Sequence, residues 1–178
     1  MRFTFEHFRH CPRCGAAVEA AGRDRPLRCG ACGFLYFFNA AAAVGAFVVR
    51  TDGRSLWLRR ARPPRAGSLG LAGGFVDLGE TVEAALRREL REEVGLAPDR
   101  FDFIGSEPNE YEYADVSYPV CDLFFEARVP AEAAIRPQID EVAGWVWLAP
   151  EEVDPEAIAF HSVRRIFERW RGGQRTAA

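Results

Sequence analysis

Apolar positions recur along the chain with two different periods, and the changes between them lay out its elements. Residues 41–50, Ala-Ala-Ala-Val-Gly-Ala-Phe-Val-Val-Arg, are apolar on both faces, as a fully buried strand is. The turn Thr51-Asp52-Gly53-Arg54 leads into Ser55-Leu56-Trp57-Leu58-Arg59-Arg60, so the two segments predict a hairpin. Residues 63–68, with two prolines and a glycine, read as a loop. From about Thr81 to Val94 the period becomes helical, with Leu86, Leu90 and Val94 forming a stripe. Apolar runs at 101–107, 118–129 and 142–148 predict further strands. A last helix over 161–170 puts Val163, Ile166, Phe167 and Trp170 on one face. Strands mixed with two helices, without internal repeats, indicate an α+β class.

The polar face of the first helix carries the chemistry. Glu89, Glu92 and Glu93 stand at i, i+3 and i+4, so their carboxylates share one face and repel one another. A divalent cation converts that repulsion into binding, and hard oxygen ligands suit Mg²⁺ or Mn²⁺. The bland alternative is a solvated acidic face, with Arg87 and Arg91 turned further round toward water. Placed glycines argue against it. Gly73-Gly74 follows the apolar run Leu69-Gly70-Leu71-Ala72 where a strand must turn, Gly79-Glu80-Thr81 can start the helix, and Gly95 can end it.

Residues 74–96 resemble the signature of the Nudix hydrolases, G-x5-E-x7-R-E-U-x-E-E-x-G-U, where U is a bulky aliphatic. Gly74, Glu80, Arg88, Glu89, Leu90, Glu92, Glu93, Gly95 and Leu96 fill every fixed position. The family often has a proline before the paired glycines; Ala72 stands there. The resemblance implies the Nudix fold, a mixed β-sheet between helices, with Glu89 and Glu93 as leading metal ligands. It implies Glu92 as a further ligand or general base, and Arg88 as a positioning group paired with Glu80. A later carboxylate often completes the site, and Glu141, six residues before Trp147, fits that place. Gly73 and Gly74 can bring backbone close to substrate or metal. Arg60 is a candidate phosphate contact, alongside Arg59 and Arg62, and Tyr111 and Tyr113 are candidates for stacking a base.

Four of the five cysteines form a second constellation, Cys11-x2-Cys14 and Cys29-x2-Cys32, each pair followed by glycine. This spacing can place four thiolates around a structural Zn²⁺; paired disulfides are the alternative. The residues between the pairs are too few and too polar to bury a core, so the metal supplies folding free energy. Arg9, Arg13, Arg23, Arg25 and Arg28 are not interleaved with aromatics, which favours a structural ribbon over a nucleic-acid-binding one. Phe34, Tyr36, Phe37 and Phe38 follow the ribbon, where two modules would pack. Cys121, in the apolar run 120–125, reads as a buried structural cysteine.

Composition narrows the classes without adding one. A hydrophobic fraction of 48% with 28% charged residues is that of an ordinary globular protein. The net charge of −3 gives no general reason to bind nucleic acid or membrane. The longest apolar run, 34–49, is broken by Asn39 and Gly45 and is too short to span a bilayer. The N-terminus lacks a signal-peptide core, so the expected location is cytoplasmic. All 23 basic residues are arginine, which excludes a lysine base, Schiff base or P-loop lysine.

The expected organisation is a zinc ribbon over 1–38, a Nudix hydrolase domain over 39–172 and a tail over 173–178. Together the modules resemble the zinc-ribbon Nudix enzymes of the NADH pyrophosphatase group. Where that group carries Ser-Gln-Pro-Trp-Pro-Phe-Pro-x-Ser, this chain has Ser106-Glu107-Pro108-Asn109-Glu110-Tyr111-Glu112-Tyr113. Pro-Asn-x-Tyr-x-Tyr is more similar to relatives acting on ADP-ribose, FAD or unassigned dinucleotides. The implied activity is metal-dependent cleavage of the pyrophosphate linkage in a nucleoside diphosphate derivative of ADP-ribose, NADH/NAD or FAD type. The alternatives are a nucleotide-sensing regulator and an NAD-cap RNA decapping enzyme on the same fold. The partner is a small nucleotide, and a homodimer is implied by analogy.

Overall fold

The computed structural model describes residues 2–19, 22 and 25–176, so Arg23 of the basic set lies outside the described residues. The chain divides into two compact units, residues 1–41 with 110–120, and residues 42–109 with 121–178. Among the described residues no helix is long and apolar enough to cross a membrane.

In the first unit, β1 (Arg2–Phe3) precedes a 3-10 turn over Thr4–His7, and β2 (Leu27–Arg28) pairs antiparallel with β3 (Leu35–Tyr36). Phe5 and Leu27 are buried, with Phe3, Phe8, Val18, Phe34 and Phe38 packed against them. The aromatics expected to meet a second module also stack among themselves: Phe8 and Tyr36 lie 6.2 Å apart at 15°, and Phe34 and Tyr36 6.5 Å apart at 17°.

The second unit is built on β4 (Ala41–Arg50), β5 (Ser55–Arg60), β6 (Leu69–Gly70), β7 (Asp102–Tyr113), β8 (Val116–Val129) and β9 (Val142–Leu148). β5 pairs antiparallel with β4, β6 and β9, β4 also pairs with β8, and β8 with β7. The tips of β7 and β8 belong to the first unit, where β1 runs parallel to the start of β8. The helices are α1 (Val82–Val94) and α2 (His161–Thr176).

Strand alternation divides the core between the two helices. Val44, Ala46 and Val48 of β4, with Leu56 and Leu58 of β5, pack with Leu86, Leu90 and Val94 of α1. Phe47, Val49 and Trp57 face the other way and pack with Val163, Ile166, Phe167 and Trp170 of α2. Phe47 stacks on Trp170 at 4.5 Å, and Trp57 meets Phe167 edge-on at 5.3 Å. Both helical stripes are therefore buried, on opposite faces of the sheet.

Three sequence expectations need correction. β7 runs to Tyr113 rather than stopping at 107, because it pairs with β8 far beyond its apolar stretch. α2 continues to Thr176, through much of the expected tail. Cys121 is exposed, and its neighbour Asp122 is the buried residue, 8% exposed. The alternation inverts there because Ser162 Oγ donates a 2.6 Å hydrogen bond to Asp122 Oδ2, satisfying a carboxylate that the sequence places on the wet face. Arg87 is exposed, as expected, and also donates to the carbonyls of Pro98 (2.9 Å) and Asp99 (3.1 Å) and lies over the Phe101 ring.

Candidate active site and metal centre

Capping sets where α1 begins and ends. Thr81 Oγ1 accepts the Ala84 N–H at 3.2 Å. Gly95 adopts a left-handed conformation with φ 71°, its N–H reaching Arg91 O while Leu96 N–H reaches Leu90 O at 3.0 Å. The loop from 130 to 141 then finishes the cap: Arg136 N–H donates to Val94 O at 2.9 Å, and Gln138 N–H to Glu93 O at 3.0 Å. Glu141 follows at once, its carbonyl accepting Ala61 N–H at 3.0 Å. The C-terminus of the helix thus carries Glu141 to the same end of the sheet as Glu93.

At the other side of the helix, residues 72–76 lie extended along β4. Ala46 N–H bonds Ala72 O at 3.0 Å, Val44 N–H bonds Gly74 O at 2.8 Å, and Val76 N–H bonds Ala42 O at 3.0 Å. Gly73 N–H donates to Glu93 Oε2 at 2.9 Å. A Cβ on Gly73 would overlap Val44 O, so only glycine lets this segment approach both β4 and α1.

Arg88 joins the loop to the helix. Its Nε and Nη2 grip Glu80 at 3.1 and 3.0 Å, Nη2 also reaches Phe75 O at 3.0 Å, and Nη1 reaches Glu89 Oε1 at 2.7 Å. Glu92 Oε2 lies 3.4 Å from Nη1 on a side chain that is 53% exposed. The hydrogen bonds from Arg88 hold the Glu80 carboxyl below its usual range.

Burial pushes the Glu93 carboxyl up to about 8, against the Gly73 N–H bond, with the charges of Glu89 and Glu141 pushing further. Burial also raises Glu89, opposed by Arg88, and Glu92 and Glu141 add to the rise. The charge of Glu141 thus reaches both Glu89 and Glu93, and that of Glu89 reaches Glu93. Among the described residues their oxygens do not converge as closely as the cysteine sulfurs do, because Arg88 draws Glu89 and Gly73 draws Glu93. Half-buried Glu89 and Glu93, with Glu141 exposed beside them, are a carboxylate donor set that fits a hard divalent cation.

In the first unit, the four sulfurs of Cys11, Cys14, Cys29 and Cys32 all lie within 4.8 Å of one another. Cys11 and Cys32 are 3.7 Å apart and Cys14 and Cys29 3.6 Å, with no disulfide. A tetrahedron with Zn–S bonds of about 2.3 Å has edges of about 3.8 Å, so the spacing fits. The two knuckles repeat one turn: Gly15 N–H bonds Cys11 O and Gly33 N–H bonds Cys29 O, with φ of 75° and 73°. The Cys32 N–H draws the Cys29 thiol down to about 7. Although the Ala16 N–H pulls Cys14 down, its contacts with Cys32 and Cys29 hold it up, at about 12. Protons shared in this way are what a thiophilic dication displaces.

Tyr111 and Tyr113 lie on the part of β7 that belongs to the first unit, and Tyr113 is 64% exposed. Arg59 donates to Gly67 O at 3.3 Å, Arg62 is exposed, and Arg60 is held by Pro64 O at 2.8 Å and lies over the Phe160 ring. Sequence reasoning missed Phe160, Gln138 and Arg136. An aromatic before an apolar helix reads as core, and backbone donors in a polar loop leave no signal.

A family model, NUDIX domain, matches residues 40–170. The NAD-capped RNA hydrolase NudC of Pseudomonas aeruginosa strain LESB58 is 30% identical over 172 residues, covering 93% of this chain and 58% of that protein. This chain thus spans little more than half the length of that relative. The ADP-ribose pyrophosphatase of Methanocaldococcus jannaschii is 41% identical over 71 residues, covering 40% of this chain and 41% of that one. The crystal structure of a MutT NUDIX hydrolase from Burkholderia pseudomallei superposes with a TM-score of 0.63 at 30% identity, covering 73% of this chain and 97% of that chain. With the box complete over residues 74–96 around α1, the sheet held between two helices and the family model spanning most of its length, this chain belongs to the NUDIX family.

Proposed function

We propose that the chain hydrolyses the pyrophosphate linkage of a nucleoside diphosphate derivative, releasing mononucleotide products. The observation that carries this is the placing of Glu89 against Gly74 and of Glu93 on the Gly73 N–H, with Glu141 brought to them by the loop that caps the same helix. Mg²⁺ or Mn²⁺ held there supplies positive charge to the phosphate oxygens and makes water acidic enough to attack phosphorus near neutral pH.

The side chains divide the remaining tasks. Glu89 and Glu93 are the principal ligands, and Glu141 completes the set from the helix cap. Glu92, more exposed, is a further ligand or the base that takes a proton from the attacking water. Arg88 and Glu80 fix the loop against the helix and touch no substrate. Gly73 and Gly74 let the extended segment pack against β4 and the Glu89 carboxylate, and Arg60 meets a phosphate. Cys11, Cys14, Cys29 and Cys32 hold a structural Zn²⁺.

The relatives' names support substrates of ADP-ribose and NAD type, whether free or at the end of an RNA. Incubation with Mg²⁺ or Mn²⁺ and ADP-ribose, NADH, NAD⁺, FAD, diadenosine polyphosphates or NAD-capped RNA tests this. Release of AMP from at least one is expected. No mononucleotide from any of them would favour the nucleotide-sensing regulator.

A further inference from the structure

Arg60 ends β5 beside the carboxylates, and its backbone is tied on both sides: its N–H bonds Ser68 O at 3.1 Å and its carbonyl accepts Gly67 N–H at 2.8 Å. The side chain is fixed as firmly. Nε donates to Pro64 O at 2.8 Å, and the guanidinium carbon sits 5.0 Å from the centre of the Phe160 ring. Nη1 and Nη2 have no acceptor among the described residues, and Arg60 forms no ion pair with a carboxylate there. Its charge nonetheless reaches Glu93.

Phe160 owes its place to the strand edge. Leu69 of β6 bridges Ile158, and Ala159 N–H donates to Leu69 O at 2.8 Å. Arg164 N–H then bonds Phe160 O at 3.0 Å, closing the turn that opens α2. The ring is thereby held against the end of β5, although 100 residues separate it from Arg60.

A guanidinium occupied through Nε and one face still offers the edge formed by its two terminal nitrogens. That edge matches two oxygens of a phosphate, and restricting its rotation beforehand reduces the entropy lost on binding. We propose that Arg60 grips the substrate's diphosphate through Nη1 and Nη2, and that Phe160 is the positioning residue that orients the guanidinium plane. For turnover this rests on the hydrolase reading; for binding it does not.

The test pairs the KM for ADP-ribose with the affinity for inorganic pyrophosphate in Mg²⁺, measured by calorimetry, in four proteins. Arg60→Ala is expected to weaken both by about 10- to 100-fold, the range for charge-assisted hydrogen bonds. Phe160→Leu keeps apolar bulk but loses the π face, and should weaken both by about three- to tenfold with kcat and melting temperature near wild type. Phe160→Tyr, which retains the ring, should stay within about twofold of wild type. Pyrophosphate affinity unchanged in Arg60→Ala would overturn the grip. Phe160→Leu matching wild type, or losing kcat and melting temperature at constant KM, would overturn the positioning role. A wild type that hydrolyses nothing, yet binds pyrophosphate through Arg60, would defeat the hydrolase reading and support this one.

Discussion

A Cβ on Gly74 would lie 2.7 Å from Glu89 Cδ and would overlap Oε1, so the first residue of the box is the space that its central carboxylate occupies. The glycine's φ is ordinary, so its identity answers to packing and not to backbone strain. Gly74→Ala must therefore displace Glu89 or the extended segment beside β4. We expect kcat to fall about 100-fold, the usual cost of misplacing a reacting group by an ångström, with the circular dichroism spectrum unchanged. Steady-state kinetics at saturating Mg²⁺ would measure it; wild-type turnover would show that Glu89 need not sit there.

Glu93→Gln removes the carboxylate while keeping a side chain that can accept the Gly73 N–H. Turnover should drop by about 100- to 10,000-fold, and the zinc content should stay as in wild type. Metal analysis and initial rates on one preparation separate the two centres. Near-normal rates would remove Glu93 from the site.

Cys29→Ser should do the reverse to the metal content. Three sulfurs and a hydroxyl bind zinc far more weakly, and among the described residues the first unit's core is a small, mostly aromatic cluster that cannot replace it. Zinc per chain should fall toward zero and the melting temperature by several degrees. A mutant that melts like wild type would contradict a structural zinc.

Asp122 gives a pH dependence of known sign. Burial raises its carboxyl above the ordinary 3.8, while Ser162 and Asn109 hold it back. The folded state therefore retains a proton that the unfolded chain gives up, so stability declines as pH climbs from about 4 through the folded value. Asp122→Asn keeps an acceptor for Ser162 Oγ and has no proton to lose. Its melting temperature should decline less than that of wild type between about pH 4 and 7; an equal decline in both proteins would refute the origin assigned here.

The sequence revealed what is local and periodic. α1, its stripe and the cysteine knuckles were legible because each is set within a few residues by 3.6-residue repeats, caps and paired spacings. β4, β5 and β9 were legible because short, mainly apolar runs bounded by turn residues read as strands. The limits of β7 were not, since pairing with β8 supports polar residues that carry no strand signal of their own. The exposed Cys121 and buried Asp122 were misread for a related reason: a carboxylate is buried only where a distant partner exists, and Ser162 is 40 residues away. Phe160 beside Arg60 was hidden by the same distance. Gly74 was recognisable as a fixed glycine, but its reason lies in a side chain fifteen residues later.

The cap on α1 restricts how this region can change. Because the residues at 136 and 138 close the helix and 141 follows immediately, a loop insertion between 130 and 135 leaves the carboxylate where it is, whereas a single added residue between 138 and 141 shifts its register against both the helix and Ala61. Variation in length among sequences of this kind should therefore gather in the first half of the loop and be absent from the second.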